Sequence, residues 1–272
     1  MDPRELDSQR LILRTRRGSL AVVGTGIRLG LHLTVEARHE IEDADEVHYV
    51  AADPTAEAWL ASLNPKSRSL ATHYREGVPR RQIYDDMVEQ ILAAVREGKC
   101  VCAVFYGHPG VYVQPSHEAV RRAREEGFEA HMLPAVSAED CLVADLGVDP
   151  GEHGWQSWDA TSFLLHGFRP DPTAGVVLWQ VDGIGKLDWN LDPDPRGLQA
   201  LAEVLGELYP PEHELVFYRA SIYPILPGEA VRTPLRDLAA LDSPPAPTLY
   251  VPPLPSRPVD AAMAARIGVT PW

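Results

Sequence analysis

Tyr74, Arg80 and Tyr84, in the run HYREGVPRRQIY, bring two phenols and a guanidinium into one short stretch. A helix is predicted from Arg80 to Gly98, where glycine ends it. On it Arg80 and Tyr84 lie four apart and share a face with Met87 and Ile91. A cation beside a phenol lowers its pKa from about 10, which is the chemistry of a general base. The same pair is also commonplace on a solvated helix face, so spacing alone leaves both readings open. Two glycine turns are the other candidates. Gly24-Thr25-Gly26, with Gly30 beyond, follows the apolar run SLAVV and either lets a ligand approach the backbone or makes a tight strand-to-helix turn. Its spacing is not the dinucleotide GxGxxG. Phe105-Tyr106-Gly107-His108-Pro109-Gly110-Val111 ends a second apolar run, CVCAVF, at the strand end where open α/β sheets place their ligands. Its plainer reading is a glycine and proline turn capped by a histidine.

These residues need elements to hold them. SLAVVG, EVHYVAA, CVCAVFY and EAHMLP read as strands, separated by the helices HLTVEARHEIEDA, TAEAWLASL, Arg80 to Gly98 and PSHEAVRRAREEG. That alternation predicts a mostly parallel sheet in an α/β domain. Asn64 to Pro79 reads as loop. From Pro134, VSAEDCLVADLG reads as a helix leading into a second unit with strands ATSFLLHGF, VVLWQVD, HELVFYRA and TLYVPP and the helix LQALAEVLGELY. The expected division is an N-terminal arm over 1–18, an α/β domain over 19–133, a second α/β domain over 134–254 and a C-terminal arm over 255–272. Asp188 to Arg196 reads as an exposed linker. The final arm opens polyproline-like and is either a reach to a neighbouring subunit or disordered.

Composition excludes several functions. The net charge of -14 is spread along the chain, and the basic clusters Arg14 to Arg17 and Arg121 to Arg124 are short, so nucleic acid is not an expected partner. No apolar run is long enough to span a bilayer and no secretory signal is readable, which points to the cytoplasm and to no membrane partner. Three cysteines cannot complete a disulfide framework, and Cys100 and Cys102, two apart in a strand, share a face and read as buried core thiols. Around His108 there is no HExxH, CxxC or paired-histidine spacing, so no metal site is expected.

Three turns in order, VGTGIRLGLHLT, YGHPGV and LPAVSAEDC, resemble those of the tetrapyrrole methylase superfamily. The run VFYGHPGVYVQPSHEAVRRAREEGFEAHMLPAVSAEDCLVADLGVDP, with ATSFL, VVLWQVDGIGKLD and TLYVPP, is similar more closely to the borosin peptide α-N-methyltransferases. The similarity extends from about Gly24 to Pro253 and is most specific from Tyr106 to Pro150. It implies a two-domain tetrapyrrole-methylase-like α/β fold with the cofactor cleft between the domains. The implied cofactor is S-adenosylmethionine, leaving S-adenosylhomocysteine as product, with Gly24, His108, Val111, Ser137 and Ala138 as contacts. Ser137 has a second role open to it, as helix N-cap facing Asp140.

In the same family a tyrosine, an arginine six positions on and a tyrosine four beyond line the peptide channel, and a further tyrosine precedes the GHPG loop. Tyr74, Arg80, Tyr84 and Tyr106 occupy those positions. A backbone amide nitrogen is a poor nucleophile because its lone pair is delocalised into the carbonyl. Methylation therefore needs the N–H proton removed and the imidate oxygen stabilised. The resemblance implies Tyr84 as base assisted by Arg80, with Tyr74 and Tyr106 orienting the peptide. The family often carries another tyrosine three residues before Tyr74, where this chain has Ala71, so the division of labour among tyrosines is open.

Little sequence follows TLYVPP and none of it reads as an apolar core peptide, so the expected substrate is a separate precursor peptide, the split arrangement of borosin biosynthesis of ribosomally made peptides. The expected assembly is a homodimer, or a heterotetramer with two precursor chains. The alternatives are a tetrapyrrole or corrinoid methyltransferase and a non-catalytic peptide-binding homologue.

Overall fold

The computed structural model describes residues 18–188, 192 and 194–270. Most of the expected N-terminal arm, the basic run Arg14 to Arg17, part of the Asp188 to Arg196 linker and the last two residues of the C-terminal arm lie outside the described residues. The chain divides into two compact units. One comprises Met1–Asp145, Lys186–Asp192 and Ala220–Gly228; the other comprises Leu146–Gly185, Pro193–Arg219 and Glu229–Trp272. Sequence reading opens the second unit at Pro134; by its contacts the chain stays with the first unit through Asp145.

The first unit is built on five parallel strands, β1 (Ser19–Gly24), β2 (Glu46–Val50), β3 (Ser67–Ser69), β4 (Cys100–Phe105) and β5 (Glu129–Met132), in the order β3-β2-β4-β1-β5. Its central strands are near-continuous apolar runs because helices cover both faces. Helices α1 (Val35–Asp43) and α2 (Pro54–Leu63) bring Ala37, Ile41 and Leu60 against Val23, Val47, Cys102 and Val104. Helices α3 (Arg80–Arg96) and α4 (Gln114–Glu125) bring Ile83, Met87, Ile91 and Ala119 against Leu20, Val22, Val101 and Ala103. The chain thus leaves β1 for one face of the sheet and its neighbour β4 for the other. Such a reversal between adjacent strands is a topological switch point, and the crevice outside their carboxyl ends is where open parallel sheets bind ligands. Helix α5 (Ala138–Leu146) follows β5. Cys102 is buried in this core, whereas Cys100 at the strand's start is only half-buried.

The segment read as loop from Asn64 to Pro79 holds β3 and a 3-10 turn at Ala71–His73. The strand is three polar residues, SRS, at a sheet edge, so it carries no hydrophobic period to read.

The second unit holds a mixed sheet in the order β6-β7-β10-β8-β9. These are β6 (Trp155–Asp159), β7 (Gly175–Trp179), β8 (Glu214–Arg219), β9 (Glu229–Pro234) and β10 (Thr248–Val251), with only β6 and β7 parallel. Helices α6 (Pro150–His153), α7 (Ala160–Leu165), α8 (Arg196–Gly206) and α9 (Ala261–Arg266) complete it. Its core joins Phe163, Leu178, Leu198, Leu201, Phe217 and Leu249.

Here the expected strand ATSFLLHGF is overturned: the strand is the preceding WQSWD, and ATSFLL is helical. The local cause is Asp159, whose side chain accepts from the Ser162 amide at 2.8 Å and caps the helix. Asp159→Ala is expected to lower stability by about 1 kcal/mol, read as a lower denaturation midpoint in urea. Among the described residues no helix is long and apolar enough to cross a membrane.

Candidate active site at the carboxyl ends of the first sheet

Every candidate cofactor or catalytic residue read from sequence lies at the carboxyl end of a strand in the first sheet, on the loop that leaves it, or in the opening turns of the helix that follows. Gly24 ends β1, Tyr74, Arg80 and Tyr84 follow β3, Tyr106, His108 and Val111 follow β4, and Ser137 and Ala138 follow β5.

Three of these loops converge at Gly24. A Cβ there would stand 2.1 Å from the carbonyl oxygen of Gly107 and 2.7 Å from both Pro109 Cδ and Ala135 Cβ, so no other residue fits. Gly26 and Gly107, both at positive φ, exchange backbone hydrogen bonds of 3.2 and 3.0 Å that lock the β1 and β4 loops together. Each loop is also braced from within. His32 Nδ1 accepts from the Arg28 amide at 3.2 Å; burial, with help from the Arg28 charge and against Asp140, holds its pKa below the ordinary range, so it stays neutral. His108 Nδ1 accepts from the Gly110 amide at 2.9 Å. Tyr112, at φ 56, sits in the left-handed region unusual for a non-glycine residue.

Ser137 and Asp140 form a reciprocal cap. The Ser137 amide and hydroxyl each donate to Asp140 Oδ2 at 2.7 Å, and the Asp140 amide donates back to Ser137 Oγ at 3.2 Å. The capping role open to Ser137 is therefore real, and both its protons are committed to it.

The structure brings Tyr74, Arg80 and Tyr84 together. Tyr74 follows the 71–73 turn, and its amide bonds the Ala71 carbonyl at 3.1 Å. Arg80 opens α3, its amide donating to the Leu187 carbonyl at 2.9 Å. The rings of Tyr74 and Tyr84 pack on the core shared by α3 and α4. Burial first, then the neighbouring Tyr84, push the Tyr74 phenol up to about 12. Arg80 pulls the other way and is outweighed, so Tyr74 is held as a hydrogen-bond donor.

Tyr106 stands in different company. Its amide bonds Val50, and its phenol is pushed up to about 12 by burial first, then by Cys141 and Asp53. The Cys141 thiol is itself raised to about 11, mainly by burial. Asp53 is not among the residues singled out from sequence; it caps α2 through the Ala56 amide at 2.8 Å. Its other oxygen accepts the hydroxyl of Tyr223, from the late segment Ala220–Gly228 that joins this unit. That bond, with the cap, holds the Asp53 carboxyl below the usual range.

Removing the Tyr223 hydroxyl raises the folded pKa of Asp53 toward its unfolded value of about 3.9. A depressed carboxylate stabilises above the unfolded pKa and loses that stabilisation as pH falls through the folded one. Tyr223→Phe is thus expected to be about 1 kcal/mol less stable at pH 7, with the gap closing in acid. Urea titrations from pH 7 to pH 3 check it; a gap that is constant with pH excludes the carboxylate as its source.

The chain belongs to the tetrapyrrole (corrin/porphyrin) methylases, whose family model matches residues 19–222. Within reach of that family, it is 38% identical over 266 residues to a methyltransferase/ribosomally synthesized type I borosin cyclic peptide precursor of Serendipita vermifera subsp. bescii, a match that takes in 94% of this chain and 64% of that one. It is 40% identical over 212 residues to the methyltransferase/ribosomally synthesized cyclic peptide omphalotin A precursor of Omphalotus olearius, covering 78% of this chain and 51% of that one. The chain therefore spans less than two thirds of the length of these relatives. Uroporphyrin-III-C-methyltransferase from Thermus thermophilus superposes with a TM-score of 0.59 at 23% identity, over 87% of this chain and 92% of that one. A cobalt precorrin-4 methyltransferase of cobalamin biosynthesis does so at 0.60 and 17%, over 86% and 94%. The fold is the two-domain tetrapyrrole-methylase-like one that the sequence motifs imply.

Proposed function

We propose that this chain is an S-adenosylmethionine-dependent α-N-methyltransferase acting repeatedly on backbone amides of a peptide. The observation that carries the reading is the gathering of Tyr74, Arg80 and Tyr84 beside the strand ends of the first sheet, in a chain so similar to borosin methyltransferase precursors.

The turns around Gly24 suit the cofactor. They offer backbone amides and carbonyls brought close by glycine, the His108 ring, and the apolar Val111, which is 36% exposed. Such a set matches an adenine ring and a zwitterionic tail. Ser137, with its protons given to Asp140, offers acceptors, as an amino group requires. Gly24, His108, Val111, Ser137 and Ala138 are the residues that would hold the cofactor, which supplies an electrophilic methyl group.

The chain's own part is to make the amide nucleophilic. Tyr84 first gives up its own proton to solvent; as phenolate it takes the amide proton, the negative charge passes from its oxygen to the amide oxygen, and Arg80 beside it stabilises that charge in both places. Tyr74 and Tyr106, both protonated at neutral pH, orient the peptide by donating to its carbonyl oxygens. In the form we propose, the peptide is a separate polypeptide presented to a homodimer in the cytoplasm, S-adenosylhomocysteine leaves as product, and a heterotetramer forms when two peptides are bound.

The purified chain with S-adenosylmethionine and a candidate precursor peptide should give methyl-sized increments on backbone nitrogens by tandem mass spectrometry, and light scattering should give twice the chain's mass. Peptide left unmodified while a porphyrin or corrin is methylated would sink the reading in favour of tetrapyrrole chemistry. Cofactor retained on the chain with no methylation of either would mark a non-catalytic peptide-binding homologue.

A further inference from the structure

Gln90 interrupts the apolar stripe of α3, half-buried where Ile83, Met87, Ile91 and Ala94 are buried. Its Nε2 lies 3.0 Å from Nδ1 of His48, a β2 residue only 1% exposed, and its Oε1 lies 2.7 Å from Nε2 of His73. His48 Nε2 in turn faces Glu46 Oε1 at 3.2 Å. Glu46 also takes Lys99 Nζ at 2.8 Å and faces Arg68 Nε at 3.3 Å. A row of polar groups therefore runs from the Glu46 carboxylate, through β2 and α3, to the 71–73 turn. The next residue is Tyr74.

Burial opposes ionisation of Glu46, but the Lys99 hydrogen bond and the charges of Arg68 and Lys99 win and keep its pKa low. Gln90 directs its NH2 at His48 Nδ1, which accepts, and its oxygen at His73 Nε2, which donates. Burial, with Arg68 and Lys99 and against Glu46, holds His48 below the ordinary imidazole range, which keeps the neutral form that this row requires.

An apolar side chain at position 90 would pack with its neighbours at no desolvation cost, so the amide is explained by what it connects. The 71–73 turn closes on itself through His73 N to Leu70 O and Tyr74 N to Ala71 O, both 3.1 Å. The His73 to Gln90 bond ties it to the helix that carries Arg80 and Tyr84. We propose that Gln90, bridging His48 and His73, is a positioning residue that fixes Tyr74 relative to Arg80 and Tyr84. The proposal rests on reading that cluster as the place of methyl transfer.

Gln90→Met keeps length and loses both bonds; His73→Leu cuts the near end, and His73→Gln keeps an N–H donor there. Gln90→Met and His73→Leu are expected to lower kcat about tenfold with peptide KM and cofactor Kd within about twofold, and His73→Gln to restore most of the rate. With 13C-labelled tyrosine, the Tyr74 phenol, at about 12 in the parent, should titrate nearer the ordinary value of about 10 in Gln90→Met while Tyr106 stays put. An unmoved Tyr74 titration with unchanged kcat overturns the proposal. So does a joint fall of both His73 variants with cofactor binding, which is general damage. Should the parent methylate no peptide, the methyl-transfer reading fails by itself, and the Tyr74 titration alone decides whether Gln90 holds that turn.

Discussion

Tyr84→Phe is expected to fold, to bind S-adenosylhomocysteine with parental affinity, and to methylate peptide about 10²- to 10⁴-fold more slowly, the range in which positioned acid–base groups act. The substitution removes one oxygen and leaves the ring that packs on the α3 and α4 core, so stability should barely change. Single-turnover methylation followed by mass spectrometry gives the rate, and calorimetry gives the affinity. Tyr74→Phe is the informative companion. Tyr74 is held protonated, with its phenol at about 12, so it serves as a donor and its loss should cost less than that of Tyr84. A larger loss at Tyr74 would exchange the two roles. That question is sharpened by position 71, where the family resemblance implies one more tyrosine and this chain has alanine.

Gly24→Ala should be among the most damaging small substitutions in the first unit. The added methyl would meet the Gly107 carbonyl oxygen at 2.1 Å, and that carbonyl cannot retreat without breaking the Gly26 to Gly107 pair. Overpacking of this kind costs about 3 kcal/mol. The three loops would also part where the cofactor contacts are proposed. Gly110→Ala is the control for crowding: its nearest contact is Met132 Sδ at 3.0 Å, the far end of a flexible side chain. A melting temperature well below the parent for Gly24→Ala and near it for Gly110→Ala is the expected result. Equal melting temperatures would show that the Gly24 turn is not held as tightly as its neighbours imply.

The parallel sheet was legible because strands covered on both faces read as unbroken apolar runs, as in SLAVVG and CVCAVF. Edge strands gave no such signal. β3 is SRS, and β9, EAVRTP, has an exposed run where a buried strand would be apolar. ATSFLL was misread because its apolar content suits strand and helix alike, and the capping aspartate one residue upstream decides between them. Tyr74, Arg80 and Tyr84 could be grouped in advance because one helix and the turn before it carry all three. The company of Tyr106 could not, because Asp53 and Tyr223 come from distant stretches of chain. Gln90 did leave a mark, as a polar residue in the apolar face of a helix, but its partners His48 and His73 sit on other elements.

The late segments that complete the first unit bear on how the chain is made. The Arg80 amide donates to the Leu187 carbonyl and the Tyr223 hydroxyl donates to Asp53, so a chain emerging from the ribosome has its first sheet long before these partners exist. During that interval α3 begins without its brace and Asp53 without its phenol. Such contacts are distant in sequence and slow to form. Nascent chains arrested after Asp145 should therefore show the sheet's protection from proteolysis while the loop around Asp53 is still cut, and that loop should close only once residue 228 has cleared the exit tunnel.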